Sequence, residues 1–295
     1  MRIHRHRLFL PLLGVAGLLS ACAEEPASSD PDPANASYAG IYEQPVRLSH
    51  GIFEGAPFVE GGASRPRVTL VTDFVFNSDL DGDGRDERVV LLAENSGGSG
   101  TMEYLAAISA GAGGSGDIGT VALGDRVQIV AAEAANNGLE LVVLQTGPQD
   151  AACCPGDVVR RRFAYEHGAL REASAQPLGR LSLDLVSDRN WVLTRLSGEP
   201  VPALETPVTL SLADGQVSGF SGCNTFRGRV TAGDGPGELN IDTLAGTRMA
   251  CPDLQSGIEH RFLAALAGAS GFGFQATRLV LRFEASGVSG ALTFE

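Results

Sequence analysis

Apolar and polar residues alternate in short runs along most of this chain, and few stretches carry a longer period. Val68 to Val71, Arg88 to Leu92, Tyr104 to Ile108, Arg126 to Val130, Leu139 to Leu144 and Val158 to Tyr165 read as strands, because side chains of period two fit a pleated backbone with one covered face. Ser96 to Gly100 and Gly111 to Gly116 are glycine-rich and predict loops, and Asn136-Asn137-Gly138 between two strand-like runs predicts a hairpin turn. Further on, Val208 to Leu212, the turn Asp214-Gly215 and the segment from Val217 predict a second hairpin, and Arg278 to Phe283 and Ser289 to Phe294 close the chain as two strands around Gly287. One segment has helical spacing. Ser256 and Glu259 stand as a capping box, and Ile258, Phe262, Leu263 and Leu266 line one face.

This pattern predicts a mainly β protein of two domains: an N-terminal all-β domain over residues 40–172, a linker at 173–186, and a C-terminal antiparallel β structure packed with one helix over 187–295. A mature length near 270 residues suits two modest domains better than one.

The first residues break the pattern. Arg2, Arg5 and Arg7 precede the apolar stretch Leu8 to Leu19, which is shorter than a membrane span and interrupted by Pro11, so residues 1–21 read as an export signal. The stretch ends in Leu19-Ser20-Ala21-Cys22, which resembles a bacterial lipobox, and Cys22 is the expected lipidation site. Each buried methylene contributes about 0.8 kcal/mol and one chain anchors only marginally, so two or three acyl chains, palmitate among them, would hold Cys22 on a bilayer. By resemblance to lipoprotein sorting rules, Ala23 at the following position points to the periplasmic face of an outer membrane. Residues 22–39, rich in Pro, Ser, Asp and Ala, read as a lipidated, disordered tether.

Composition narrows the function classes. A net charge of −13, made more acidic when the three leading arginines are removed, argues against a nucleic-acid partner. The chain carries no Lys, and a hydrophobic content of 43% excludes wholesale disorder. After processing only His50, His167 and His260 remain. None has zinc spacing, no Gly-x-Ser-x-Gly elbow occurs, and no glycine-rich loop leads into Lys and a helix. The expectation is therefore a protein without enzymatic activity and without a resident cofactor. The alternative is a hydrolase of an envelope polymer working through carboxylates that the sequence does not single out.

One loop carries metal chemistry. Asp79, Asp81, Asp83 and Glu87 stand at positions 1, 3, 5 and 9, with Gly84 at position 6, a spacing that wraps oxygens around Ca²⁺. The EF-hand pattern fails at position 12, which is Val90; a polar turn with solvated charges is the competing reading. The loop also resembles the Asp-x-Asp-x-Asp-Gly loops of extracellular β-repeat proteins. The adjacent Cys153 and Cys154 fit a vicinal ring, two buried thiols or cross-pairing with the other two cysteines, Cys223 and Cys251.

The C-terminal segment resembles the META domain (HslJ-like) family. The resemblance rests on Trp191 with Leu193, on Gly222-Cys223-Asn224, on Thr247-x-Met249-Ala250-Cys251, on Glu259-x-x-Phe262, and on the terminal strands. It implies a small antiparallel β structure with one helix, in envelope proteins without an established enzymatic activity and with links to stress. The family fold is similar to that of pilotin lipoproteins, which implies an envelope protein or an apolar molecule as partner. Cys223 and Cys251 fall in two signature pieces. In an oxidising compartment they are expected to form a disulfide, against the alternative of two buried thiols, and such a bond stabilises by roughly 3 to 4 kcal/mol.

Overall fold

The computed structural model describes residues 32–111, 114–135, 138–187 and 189–295. The export signal, Cys22 and residues 23–31 of the tether lie outside the described residues, as does the Asn136-Asn137 tip. The chain is mainly β, with antiparallel sheets throughout.

The N-terminal region forms β1 (Ser37–Tyr38), β2 (Val46–Arg47), β3 (Ile52–Glu54), β4 (Arg67–Ser78), β5 (Glu87–Asn95), β6 (Met102–Gly111), β7 (Gly114–Asp125), β8 (Gln128–Ala135), β9 (Gly138–Gln145), β10 (Asp157–Glu166) and β11 (Ala169–Arg180). Strands β3 to β7 build a five-stranded sheet and β8 to β11 a four-stranded one, each a meander of neighbours in sequence. Val89 and Leu91 of β5 meet Leu139, Leu141 and Val143 of β9 in a core shared by the two sheets. The alternate residues Val90 and Leu92 face a second core built by Tyr38, Val46 and Leu48. Strand β5 is therefore covered on both faces, which is why Val89 to Leu92 runs apolar without alternation.

The C-terminal region forms β12 (Asn190–Leu196), β13 (Glu199–Pro200), β14 (Thr209–Ala213), β15 (Gln216–Phe220), β16 (Thr225–Ala232), β17 (Leu239–Ile241), β18 (Ala245–Gly246), α1 (Asp253–Ala267), β19 (Ala269–Gln275), β20 (Arg278–Ala285) and β21 (Val288–Phe294). They join in one sheet of order β17-β16-β15-β14-β12-β21-β20-β19, with β13 on β12 and β18 on β16. Its ends come together, Phe272 N donating to Gly237 O at 2.6 Å, so the sheet nearly closes into a barrel. The expected Asp214-Gly215 hairpin is present, with φ of 52° and 70° at its two central residues. Helix α1 packs Ile258, Phe262, Ala265 and Leu266 into the core, where the Phe262 ring stands edge-on to Phe226 and Phe294. Trp191 is the expected core anchor, 1% exposed, with Nε1 donating to Val186 O.

The two regions share more than a linker. Val130, Leu144 and Val158, on the face of the four-stranded sheet opposite its first core, join the core of Trp191 and Phe274. Phe274 N donates to Gln128 Oε1 at 2.7 Å, and Arg278 pairs with Asp73 at 2.7 Å.

Four expectations need correction. Residues 32–39 are no tether, since Ala36 and Tyr38 are buried against the five-stranded sheet and a Pro33–Asn35 turn leads into β1. An averaged polar composition hides two apolar residues at the spacing of a strand face. The glycine-rich Gly111 to Gly116 stretch is mostly strand, because β6 and β7 stay paired up to Gly111 and Gly114. The linker at 173–186 is largely β11, whose exposed side chains gave it a polar sequence, followed by a short turn that buries Val186. The helix starts at Asp253, ahead of the expected capping box, and Ser256 Oγ donates back to Cys251 O instead.

Candidate functional site

The family-like signature residues converge at the corner between β16, the segment leading out of β18, and α1. Asn224, 5% exposed, is the centre. Its Oδ1 accepts from Thr247 Oγ1 at 2.8 Å and Met249 N at 2.7 Å, and its Nδ2 donates to Met249 O at 3.3 Å and Glu259 Oε2 at 3.1 Å. Ser221 Oγ donates to Glu259 Oε1 at 2.6 Å and lies 2.7 Å from Asn224 O. Gly222 between them has φ of 98°, and a Cβ there would stand 3.3 Å from Leu204 and Val208. The sulfurs of Cys223 and Cys251 are at bonding distance, with Cα atoms 5.9 Å apart. Every polar group of this cluster is thus turned inward to tie three segments together. A side chain whose hydrogen-bonding capacity is spent on its neighbours holds shape well and has little left for a reacting group. No local pattern marks Ser221, and the spacing of Glu259 from Ser256 suits a helix cap; the partners of Glu259 lie some 35 and 38 residues away. Met249 contributes its backbone to this tie while its side chain is 60% exposed. His260 is exposed.

Around this corner lie four depressions that share lining residues. One of about 720 Å³ is lined by Thr225, Gly246, Arg248, Met249 and Leu263. It shares Leu244, Glu259 and Leu263 with one of about 590 Å³ along α1, reaching His260 and Ala267. On the other side Thr225, Ala245 and Thr247 continue it into one of about 340 Å³, and Arg227 and Ala245 continue that into one of about 550 Å³ ending at Asp214. The exposed segment 242–250, with the two-residue strand β18, runs through all four.

The acidic loop lies in the other region, between β4 and β5. Ligand oxygens of Asp79, Asp81 and Glu87 come within 4.8 Å of one another. Asp79 accepts from Gly82 N at 2.8 Å and Gly84 N at 3.1 Å, and Glu87, 2% exposed, accepts from Leu80 N at 2.8 Å. Burial pushes the Glu87 carboxyl above its ordinary range. Asp83 departs from the expected ligand set: it is outside this group and its Oδ1 accepts from Arg85 N at 2.8 Å, since the two-residue Asx turn points it along the loop.

Cys153 and Cys154 are joined as a vicinal pair, their Cα atoms 3.8 Å apart. Their loop is held by Asp150, which accepts from Gly147 N and Gly156 N and pairs with Arg180; the guanidinium, together with those amides, brings its carboxyl down to about 2. Arg126 secures the same loop through Ala152 O at 2.9 Å.

Comparison with known proteins agrees with the C-terminal assignment. Residues 184–291 match the family model described as META domain. No curated protein matches the chain. Two proteins with NMR structures are similar to part of it: one is 25% identical over 39% of this chain and 94% of its own length, with a TM-score of 0.33. The second, from Burkholderia xenovorans, is 31% identical over 38% of this chain and 83% of its own, with a TM-score of 0.30.

Proposed function

We propose that this protein is an envelope lipoprotein, acylated at Cys22 and held at the outer membrane, whose META domain captures a ligand without transforming it. The observation that carries the binding part is the row of depressions lined by segment 242–250, beside the Asn224 network and the Cys223–Cys251 pair that stiffen it. Rigid support under an exposed surface is what a binding site needs, because little order is then lost when the ligand arrives. The role in envelope maintenance or stress follows from the same reading, as does a partner that is an envelope protein or an apolar molecule seated against Leu244 and Leu263.

The first test is a photo-crosslinking residue placed at Ala245 in envelope preparations, with Ser174 on β11 as control. A discrete adduct at residue 245 and none at 174 is expected, and adducts of equal yield at both would end the groove reading. For the anchor, labelled palmitate should enter the parent and not Cys22→Ser.

A structural Ca²⁺ in the 79–87 loop is the second element of this proposal. Asp79, Asp81 and Glu87 supply oxygen ligands at the mutual spacing that a hard cation takes, and the ion would relieve the repulsion among them.

A further inference from the structure

Strand β16 turns Phe226 and Val230 into the core and therefore Thr225, Arg227, Arg229 and Thr231 outward, where all four are exposed. Arg227 and Arg229 are two residues apart on one face, so their side chains leave the sheet roughly 7 Å from each other. Neither makes an ion pair or hydrogen bond through its guanidinium with a described residue. That runs against the composition. Acids outnumber bases 35 to 22, and several arginines elsewhere are claimed by carboxylates, as Arg180 is by Asp150 and Asp157, although exposed Arg195 and Arg248 also stand without an ion pair among the described residues.

The two guanidiniums line the depression of about 550 Å³, together with Gln216, Thr231, Thr243 and, at the hairpin turn beyond Gln216, Asp214. Register places Gln216 opposite Arg229, and Ser218 and Ala245 on either side of Arg227. One arginine fork satisfies a carboxylate, whereas two forks side by side match the three outer oxygens of a phosphate monoester. The remaining lining is of a different kind. An exposed carboxylate, an amide and two threonine hydroxyls accept and donate hydrogen bonds as sugar hydroxyls require.

We propose that this end of the groove binds a phosphorylated sugar, with the phosphate between Arg227 and Arg229 and the sugar hydroxyls toward Asp214 and Gln216. The assignment deepens the binding reading above, on which it rests, by naming the chemical class taken at one end. It also explains how an acidic protein takes an anion: the field of the rest of the chain is screened over about 8 Å at physiological salt, and the two arginines act at contact.

The test is calorimetric titration of the full chain with glucose 6-phosphate, beside glucose, glucuronate, inorganic phosphate and phosphatidylglycerol vesicles. Glucose 6-phosphate should bind saturably, with glucose and glucuronate at least tenfold weaker. The double variant Arg227→Gln/Arg229→Gln should lose tenfold or more with an unchanged melting temperature, since both side chains are exposed. Asp214→Asn should lower the affinity for glucose 6-phosphate toward that for inorganic phosphate, and leave the latter no weaker. Absence of saturable binding, equal affinity in the double variant, or glucuronate binding as tightly would overturn the assignment, as would binding to the vesicles alone. A crosslink at residue 245 that persists in those cases would leave the groove reading standing and remove only the sugar phosphate. Arginine-dependent binding without that crosslink would do the reverse.

Discussion

The corner around Asn224 and the loop at 79–87 are both dense in polar side chains, yet they solve opposite problems. Ser221 and Asn224 are withdrawn from water, Glu259 is half-buried, and the three answer one another with donors and acceptors. Asp79, Asp81 and Glu87 bring only acceptors, and the backbone amides that meet them leave their mutual charge unbalanced. The difference teaches how to read a polar motif: a set with matched donors and acceptors is spent on architecture, while a set of one sign asks for something from outside. In this protein the recognisable signature is the architectural set, and the surface available to a ligand lies beside it.

The contrast can be broken most severely at its centre. Asn224→Ala removes the amide's hydrogen bonds to Glu259, Thr247 and both backbone groups of Met249 at once, and a loss of about 3 to 5 kcal/mol is expected from urea unfolding, since each of these four bonds contributes roughly 0.5 to 1.5 kcal/mol. A loss below about 1 kcal/mol would mean that water replaces the amide freely and that the corner is less closed than its geometry says. Next in size is the covalent tie. Cys223→Ser/Cys251→Ser should cost about 3 kcal/mol, and the parent should fall to the same stability in reductant. A difference that survives reduction would trace to packing of the sulfurs instead.

The acidic loop makes the complementary prediction. Ca²⁺ at a hundredfold excess over its dissociation constant should raise stability by about 2.7 kcal/mol, and Glu87→Gln should abolish most of that rise. Melting curves that superimpose with Ca²⁺ and with chelator would place the loop among solvated turns.

The smallest effect concerns a carboxyl in the same region that has no such company. Glu103 Oε2 on β6 is buried without a hydrogen-bond partner, and burial, with a lesser contribution from Asp125, pushes its pKa from 4.5 up to about 7. The folded state then holds a proton that the unfolded chain gives up. The contribution to stability is full below pH 4.5, is lost as pH rises to 7, and is flat above. Glu103→Gln should flatten that slope and add about 1 kcal/mol at pH 8. An unaltered slope would assign it to other groups.

Much of this was legible in the residues. Period two located the strands, and Asp214-Gly215 marked a turn whose backbone φ values are positive as such turns require, but the runs in β5 and β9, expected to have one covered face, are covered on both. The signature pieces identified the C-terminal region and the cysteine pair within it. What covers the second face of β9 was not legible: Leu144 packs with the Trp191 core of the other region, although any apolar surface would satisfy the same pattern. Nor was the partner of Glu259. Its spacing from Ser256 fits a helix cap, and only the folding of α1 against β16 brings Ser221 and Asn224 within its reach. Arg227 and Arg229 show the same division: alternation puts them on one face, and the fold gives neither an ion pair among the described residues. Local period depends on a residue's immediate neighbours, so the chain itself determines it; pairing across the molecule depends on which surfaces meet, and that is decided only when the sheets and helix pack.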